Sequence, residues 1–149
     1  MAGKQVSTYN ILNSLPFMRT RVMAVLSALL LVLGLRAEAM DRWAALSQLE
    51  SGDDDHAVGA AGEVSRYQLR PELWRRFASP DARSENADEA LAVAMKVMAV
   101  RSAAFERDLH RAPTDFEFYI LWNAPGQIQR PGKAVSLRAR RFCNLVERH

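Results

Sequence analysis

The sequence predicts an all-α domain of about five helices. Apolar residues recur at helical spacing, as Trp43, Leu46 and Leu49 do in the first segment. Residues that start and stop helices bracket each such segment, and no stretch of useful length alternates as a half-buried strand would. With 149 residues, of which 49% are hydrophobic and 25% charged, the composition is that of one globular domain.

The expected helices follow from these start and stop signals. Asp41 is placed to cap the first helix, Pro71 stands at a first helical position, and Thr114 and Glu117 form a capping-box pair. A loop at 51–65, rich in Gly, Ala and Asp, is long enough to indicate a functional role. The predicted helices span residues 41–52, 71–77, 88–111, 114–122 and 136–147.

Residues 1–39 have the order of features of a secretory signal peptide. Two arginines precede an apolar run at 22–35, and a small-x-small motif ending at Ala39 offers a cleavage site. The run is shorter than the ~20 apolar residues of a spanning helix, so cleavage is favoured over anchoring. Residues 1–17 are polar and unpatterned, which is typical of a misassigned start. We therefore expect a periplasmic or secreted product that contacts a membrane only through an uncleaved leader.

The predicted mature segment, 40–149, is electrically neutral. The leader holds four of the 20 basic and one of the 17 acidic residues, which leaves 16 of each sign in the mature segment. Because binding to nucleic-acid phosphates needs a basic face on the folded domain, nucleic acid is not an expected partner. The lone Cys143 cannot close an intramolecular disulfide, so the core must hold the fold by itself.

Three short stretches place polar groups beside loop-forming residues. Glu50 ends the first helix, and if it packs against an aromatic ring such as Trp43, Tyr67 or Trp122, desolvation raises its pKa toward the working pH. Such a carboxyl group is a general acid; the alternative from the residues alone is a solvated helix-end residue. The stretches are Leu49-Glu50-Ser51-Gly52, Gly62-Glu63-Val64-Ser65-Arg66-Tyr67-Gln68-Leu69 and Leu121-Trp122-Asn123-Ala124-Pro125-Gly126.

In this order, the three stretches resemble the motifs of the lytic transglycosylases of the lysozyme-like superfamily. Those motifs are Glu-Ser, then Gly-Leu-Met-Gln, then Ala-Tyr-Asn-Ala-Gly. Here the first is Glu50-Ser51, the second ends in Gln68, and the third contains Asn123-Ala124. The resemblance covers roughly residues 43–142 and implies a small lysozyme-like helical catalytic domain at 40–149.

The resemblance also implies a reaction, which is cleavage of the β-1,4 bond between N-acetylmuramic acid and N-acetylglucosamine with a 1,6-anhydro product. Glu50 would protonate the leaving oxygen and then accept the proton of the 6-hydroxyl group. Peptidoglycan strands are the implied partner, envelope or secretion machinery is left open, and no cofactor or metal ion is expected. The implied substrate-binding residues are Ser51, Tyr67, Gln68, Trp122 and Asn123. Of these, Ser51 would also tie the end of the first helix to the loop.

The chain departs from the family pattern at several positions. Arg66 and Tyr67 stand where the family keeps Leu and Met, so we expect a more polar cleft wall that grips a carboxylate or a sugar hydroxyl. Trp122 replaces the tyrosine of the third motif. Glu63 is either the second carboxylate of a hydrolytic muramidase or a loop residue paired with Arg66. Because two of the three motifs are altered, a catalytically degenerate peptidoglycan-binding or scaffold protein is a further alternative.

Two other charged stretches are expected to be solvated rather than functional. Consecutive residues do not converge on one metal ion, so the acidic stretch 53–56 is interpreted as a solvated loop. A solvated helix face is favoured for the basic residues Arg138, Arg140 and Arg141, with contact to an anionic surface as the alternative.

Overall fold

The computed structural model describes residues 41–147, and within this range the chain is all-α, as the sequence predicts. Residues 41–147 contain five helices, with one turn of 3₁₀ helix at Pro125–Gln127 between the last two. The described residues contain no strand. The helices are α1 (Arg42–Ser51), α2 (Pro71–Phe77), α3 (Ala87–Leu109), α4 (Asp115–Asn123) and α5 (Lys133–Val146).

The predicted signal peptide at 1–39 lies outside the described residues, and so does the predicted cleavage site. Between residues 41 and 147, none of the helices has both the length and the apolar character needed to cross a membrane. The predicted export of the domain therefore stays a prediction.

The helix ends lie close to the positions that local signals predict. The Asp41 carboxylate accepts hydrogen bonds from the backbone N–H groups of Trp43 and Ala44, at 2.7 and 2.9 Å, and so caps α1. Gly52 ends this helix with a φ of +70°, a left-handed conformation that glycine adopts without strain. The capping box of Thr114 and Glu117 is formed with both of its hydrogen bonds.

The one clear difference is the start of α5, which begins at Lys133 rather than at the predicted Ser136. Gly132 is the residue that precedes the helix, with extended backbone angles. Glycine is an acceptable residue at this position even though it has no side chain to cap the helix. No large apolar residue precedes Val135 in this helix, so the apolar pattern does not mark its first turn.

The core is built around α4, which is buried on all sides. Five consecutive residues, 118–122, are buried, and a helix that is apolar all round is typical of a central position. Leu46 of α1, Val97 of α3 and Phe142 of α5 are also fully or almost fully buried in the same cluster. The Phe118 ring of α4 packs edge-on against Trp43 of α1 and stacks on Phe142 of α5. At the end of α4 the Trp122 ring packs against Tyr67, and these contacts bring the three motif stretches close together.

The loop between α1 and α2 folds into a compact double turn. Isolated antiparallel bridges pair Val64 with Val58 on one side and with Leu69 on the other. Ser65 and Gln68 have positive φ angles of 68° and 49°, which few residues other than glycine adopt. Backbone strain of this kind persists where the surrounding structure holds it, and it is frequent at functional sites. The loop therefore presents its side chains in fixed directions.

Candidate active site

A cavity of about 720 Å³ opens where the end of α1, the double-turn loop and the end of α4 meet. Its volume lies in the range of small-molecule and sugar sites in proteins. The sequence-predicted residues that line it are Glu50, Glu63, Gln68, Trp122 and Asn123. The fold thus gathers at least one residue from each of the three motif stretches.

The Glu50 side chain lies in the last turn of α1 and is only 7% exposed. The hydroxyl group of Tyr119 donates a hydrogen bond of 2.7 Å to Oε1, and Nη2 of Arg138 donates one of 3.2 Å to Oε2. Both carboxyl oxygens therefore have a donor from the protein. This burial excludes the alternative in which Glu50 is a solvated helix-end residue.

The pKa of Glu50 is raised above its ordinary value by burial, which disfavours the charged form. The hydrogen bond from Tyr119 and the charge of Arg138 act in the opposite direction, and the nearby charge of Glu63 adds to the increase. The effect of burial is the largest, so the pKa of Glu50 is raised overall. The carboxyl group therefore holds its proton to a higher pH than an exposed glutamate does. This is the property that a general acid needs.

Tyr67 does not line the cavity, contrary to the predicted substrate contact. Its side chain is 4% exposed, and its ring packs edge-on against those of Trp43 and Trp122. Residues 65–68 form a turn that the N–H of Gln68 closes by donating to the carbonyl of Ser65, at 3.0 Å. Within this turn Tyr67 is buried and Gln68 is partly exposed.

Ser51 is likewise outside the cavity lining, but its hydroxyl group connects the helix end to the loop as predicted. It donates a hydrogen bond of 2.9 Å to the backbone carbonyl of Arg66 and accepts one of 3.1 Å from the N–H of Asp54. These bonds connect the end of α1 to both halves of the loop. Ser51 therefore positions the loop beside Glu50 and does not contact the space where a substrate would bind.

Arg66 lies away from the predicted cleft wall, and Glu63 does not form the ion pair with Arg66 that was one of its two alternatives. Arg66 forms a two-point ion pair with Asp55, at 2.5 and 2.8 Å, and it does not line the cavity. Glu63 is therefore not its partner; the Glu63 carboxylate accepts a hydrogen bond of 2.9 Å from the N–H of Ala61 and lines the cavity. Asp55, which was expected to be solvated, instead orders the loop.

Sequence reasoning missed Tyr119 and Arg138, the two residues that contact Glu50. Arg138 was interpreted as part of a solvated basic face, yet its guanidinium group reaches the acid from α5. Trp122 occupies the position of the motif tyrosine in the sequence. In the described part of the chain, however, the hydrogen bonds to Glu50 come from Tyr119 and Arg138 and not from Trp122. Tyr119, nearly one helical turn earlier on α4, makes this bond; its i, i+4 spacing from Asn123 was the available signal.

No family model matches this chain, and neither the curated proteins nor the solved structures that were compared with it gave a match. A function for the domain therefore depends on the geometry around Glu50 and on the order of the motifs in the sequence. The geometry shows a buried carboxyl group that accepts hydrogen bonds from two donors and lines a cavity large enough for sugars.

Proposed function

We propose that this domain cleaves peptidoglycan strands as a lytic transglycosylase of lysozyme-like fold, acting in the periplasm or outside the cell. The observation that carries the proposal is the buried carboxyl group of Glu50 in the same cavity as Gln68 and Asn123. These residues come from the three stretches that resemble the family motifs. The predicted signal peptide supports the location, because the wall lies outside the inner membrane.

In the proposed reaction, one carboxyl group serves as both acid and base. Protonated Glu50 donates its proton to the glycosidic oxygen as the bond to the anomeric carbon breaks. The 6-hydroxyl oxygen of the muramyl sugar then attacks that carbon, and Glu50 accepts the hydroxyl proton as the anhydro ring closes. Between the two steps Glu50 is ionised, and the donors Tyr119 and Arg138 stabilise this carboxylate.

Gln68 and Asn123 are the proposed contacts to the acetamido groups and hydroxyls of the sugar. The side-chain nitrogen of Gln68 donates a hydrogen bond of 3.2 Å to the carbonyl of Ser65, which holds its amide group at the cavity wall. Asn123 is exposed at the end of α4 and lines the cavity. Amide side chains both donate and accept hydrogen bonds, as recognition of an acetamido group requires.

The second candidate is a hydrolytic muramidase, which the position of Glu63 favours. Glu63 lines the same cavity as Glu50, and its charge contributes to the raised pKa of Glu50. In a hydrolase, this second carboxylate would activate water or stabilise the positive charge on the sugar. The transglycosylase reaction needs no such residue.

The mass of the products from intact sacculi distinguishes these activities. Hydrolysis adds one water molecule to the cleaved bond, whereas ring closure adds none. We therefore expect muropeptides that are one water lighter than those a muramidase releases. Glu63→Gln is expected to retain this activity, since its carboxylate has no part in the proposed steps. Hydrolysed ends that disappear in Glu63→Gln would support the muramidase instead. Binding to sacculi with no released product would indicate a degenerate, glycan-binding domain.

Gly59→Ala is expected to reduce cleavage of sacculi while leaving the fold intact. A Cβ at this position would overlap the side-chain oxygens of Glu63 and Gln68, which would have to move. Displacement by about 1 Å can cost roughly 10²-fold in rate, so we expect a tenfold to hundredfold loss. The matched control is Gly126→Ala, because Gly126 lines the same cavity with no atom near its added Cβ. Equal activity of both variants would contradict a role in cleavage for the side of the cavity that Glu63 and Gln68 form.

A further inference from the structure

The cavity around Glu50 carries more positive than negative side chains. Three arginines line it, Arg70, Arg101 and Arg138, against the two acids Glu50 and Glu63. Arg138 is bonded to Glu50. When Glu50 is protonated, as the proposed acid step requires, the excess positive charge increases further. A ligand with a negative charge would therefore be favoured over a neutral one of the same shape.

Arg101 is a fixed guanidinium group without a carboxylate partner among the described residues. Its Nη1 donates hydrogen bonds of 2.8 and 2.6 Å to the backbone carbonyls of Leu121 and Trp122, at the end of α4. Its other two nitrogens have no protein partner in the described part of the chain. No buried side-chain nitrogen there lacks a partner, so these two nitrogens are accessible to solvent. Arg101 lines the Glu50 cavity and also a second cavity, beside Phe105 and Leu121. Its unbonded N–H groups are therefore accessible to a ligand where these two cavities adjoin the side chain.

Arg70 places a second guanidinium group in the lining of the same cavity. Its side chain is 69% exposed, and its contact with Glu72 is long, at 3.4 Å. Burial lowers the pKa of Arg101, and the positive charge of Arg70 lowers it further. Two guanidinium groups with free N–H donors match the planar, two-oxygen geometry of a carboxylate.

We propose that Arg101 and Arg70 form a subsite for a carboxylate carried by the glycan strand beside the sugar bond at Glu50. The identity of the glycan rests on the proposed function. Peptidoglycan offers this carboxylate from two sources, which are the lactyl group of a muramyl sugar without peptide and the stem peptide. A neutral polymer of N-acetylglucosamine offers neither. The subsite would therefore select anionic over neutral strands.

The test measures binding in the full chain with Glu50→Gln, so that no probe is cleaved. The probes are a muramyl-N-acetylglucosamine tetrasaccharide with free lactyl carboxylates, the same tetrasaccharide bearing stem peptides, and the neutral N-acetylglucosamine tetramer. Adding Arg70→Gln is expected to weaken binding of a carboxylate probe by roughly threefold to tenfold and to leave the neutral probe unchanged. The probe that responds identifies the source of the carboxylate.

Arg75→Gln is the matched control, because Arg75 is exposed on α2 and does not line the cavity, while the change in charge is the same. Arg101→Lys is a second variant that keeps the charge but removes the two-point geometry, and we expect it to weaken the same probe. Equal loss of all three probes in Arg70→Gln, no loss of any, or no binding of any probe by the starting protein would overturn the subsite.

The same measurements separate this inference from the proposed function. Cleavage of sacculi by the protein with Glu50 present, without any dependence of carboxylate binding on Arg70, would overturn the subsite and leave the proposed function standing. Carboxylate binding that depends on Arg70, in a protein that releases nothing from sacculi, would support the subsite while the proposed cleavage fails.

Discussion

Glu50→Gln is expected to abolish the release of soluble muropeptides from purified sacculi. Loss of a positioned general acid and base typically costs about 10²- to 10⁴-fold in rate. Glutamine has nearly the same shape, and its side-chain oxygen can still accept the hydrogen bond from Tyr119. It has no acidic proton to give to the leaving oxygen. The measurement is the rate of muropeptide release, followed by turbidity and by mass spectrometry.

The same variant is expected to be at least as stable as the unchanged protein at neutral pH. The folded-state pKa of Glu50 is raised above its ordinary value of 4.5, so the folded protein binds this proton more tightly than the unfolded chain. The stabilisation is present below pH 4.5 and is lost as the pH rises toward the folded-state pKa. Glutamine cannot ionise, so the variant does not have to bury a charge at neutral pH. Its melting temperature at neutral pH should therefore not fall below that of the unchanged protein.

Glu106→Gln is the control for this pair of measurements, since Glu106 is an exposed acid on α3 outside the cavity lining. It should change neither the rate of release nor the melting temperature appreciably. Full residual activity in Glu50→Gln would remove Glu50 from the mechanism. Loss of activity together with a large drop in melting temperature would show a structural role instead.

Most of the fold could be predicted because its signals are local. Asp41, Pro71 and the pair of Thr114 and Glu117 each act within one helical turn, and each starts a helix as predicted. Capping depends on hydrogen bonds between residues two or three apart, and the sequence shows that spacing directly. The start of α5 was missed because Gly132 provides no side-chain signal.

The candidate site could be predicted only in part, because its contacts are long-range. Glu50 stood out by its place at a helix end, whereas its partners Tyr119 and Arg138 lie 69 and 88 residues further along the chain. Nothing in the sequence pairs residues at such separations. Arg66 was assigned to the cleft wall for the same reason, since its pairing with Asp55 depends on how the loop folds.

Arg138→Gln is expected to move the alkaline limb of the pH-rate profile to higher pH. The charge of Arg138 and its hydrogen bond stabilise the ionised form of Glu50 and therefore lower its pKa. Removing them raises this pKa further, because burial and the charge of Glu63 remain. The acid form of Glu50 then persists to higher pH, and the rate falls later as the pH increases. The measurement is the initial rate of muropeptide release across a pH series.

The same substitution is expected to lower the maximal rate, since the carboxylate that forms between the two proton transfers loses one of its two donors. Arg138→Lys restores the charge and should return the limb toward its original position. Arg140→Gln is the matched control, because Arg140 is exposed on the same helix and does not line the cavity. A uniform loss of activity at every pH, with the limb unmoved, would mean that Arg138 supports the fold and does not tune the acid.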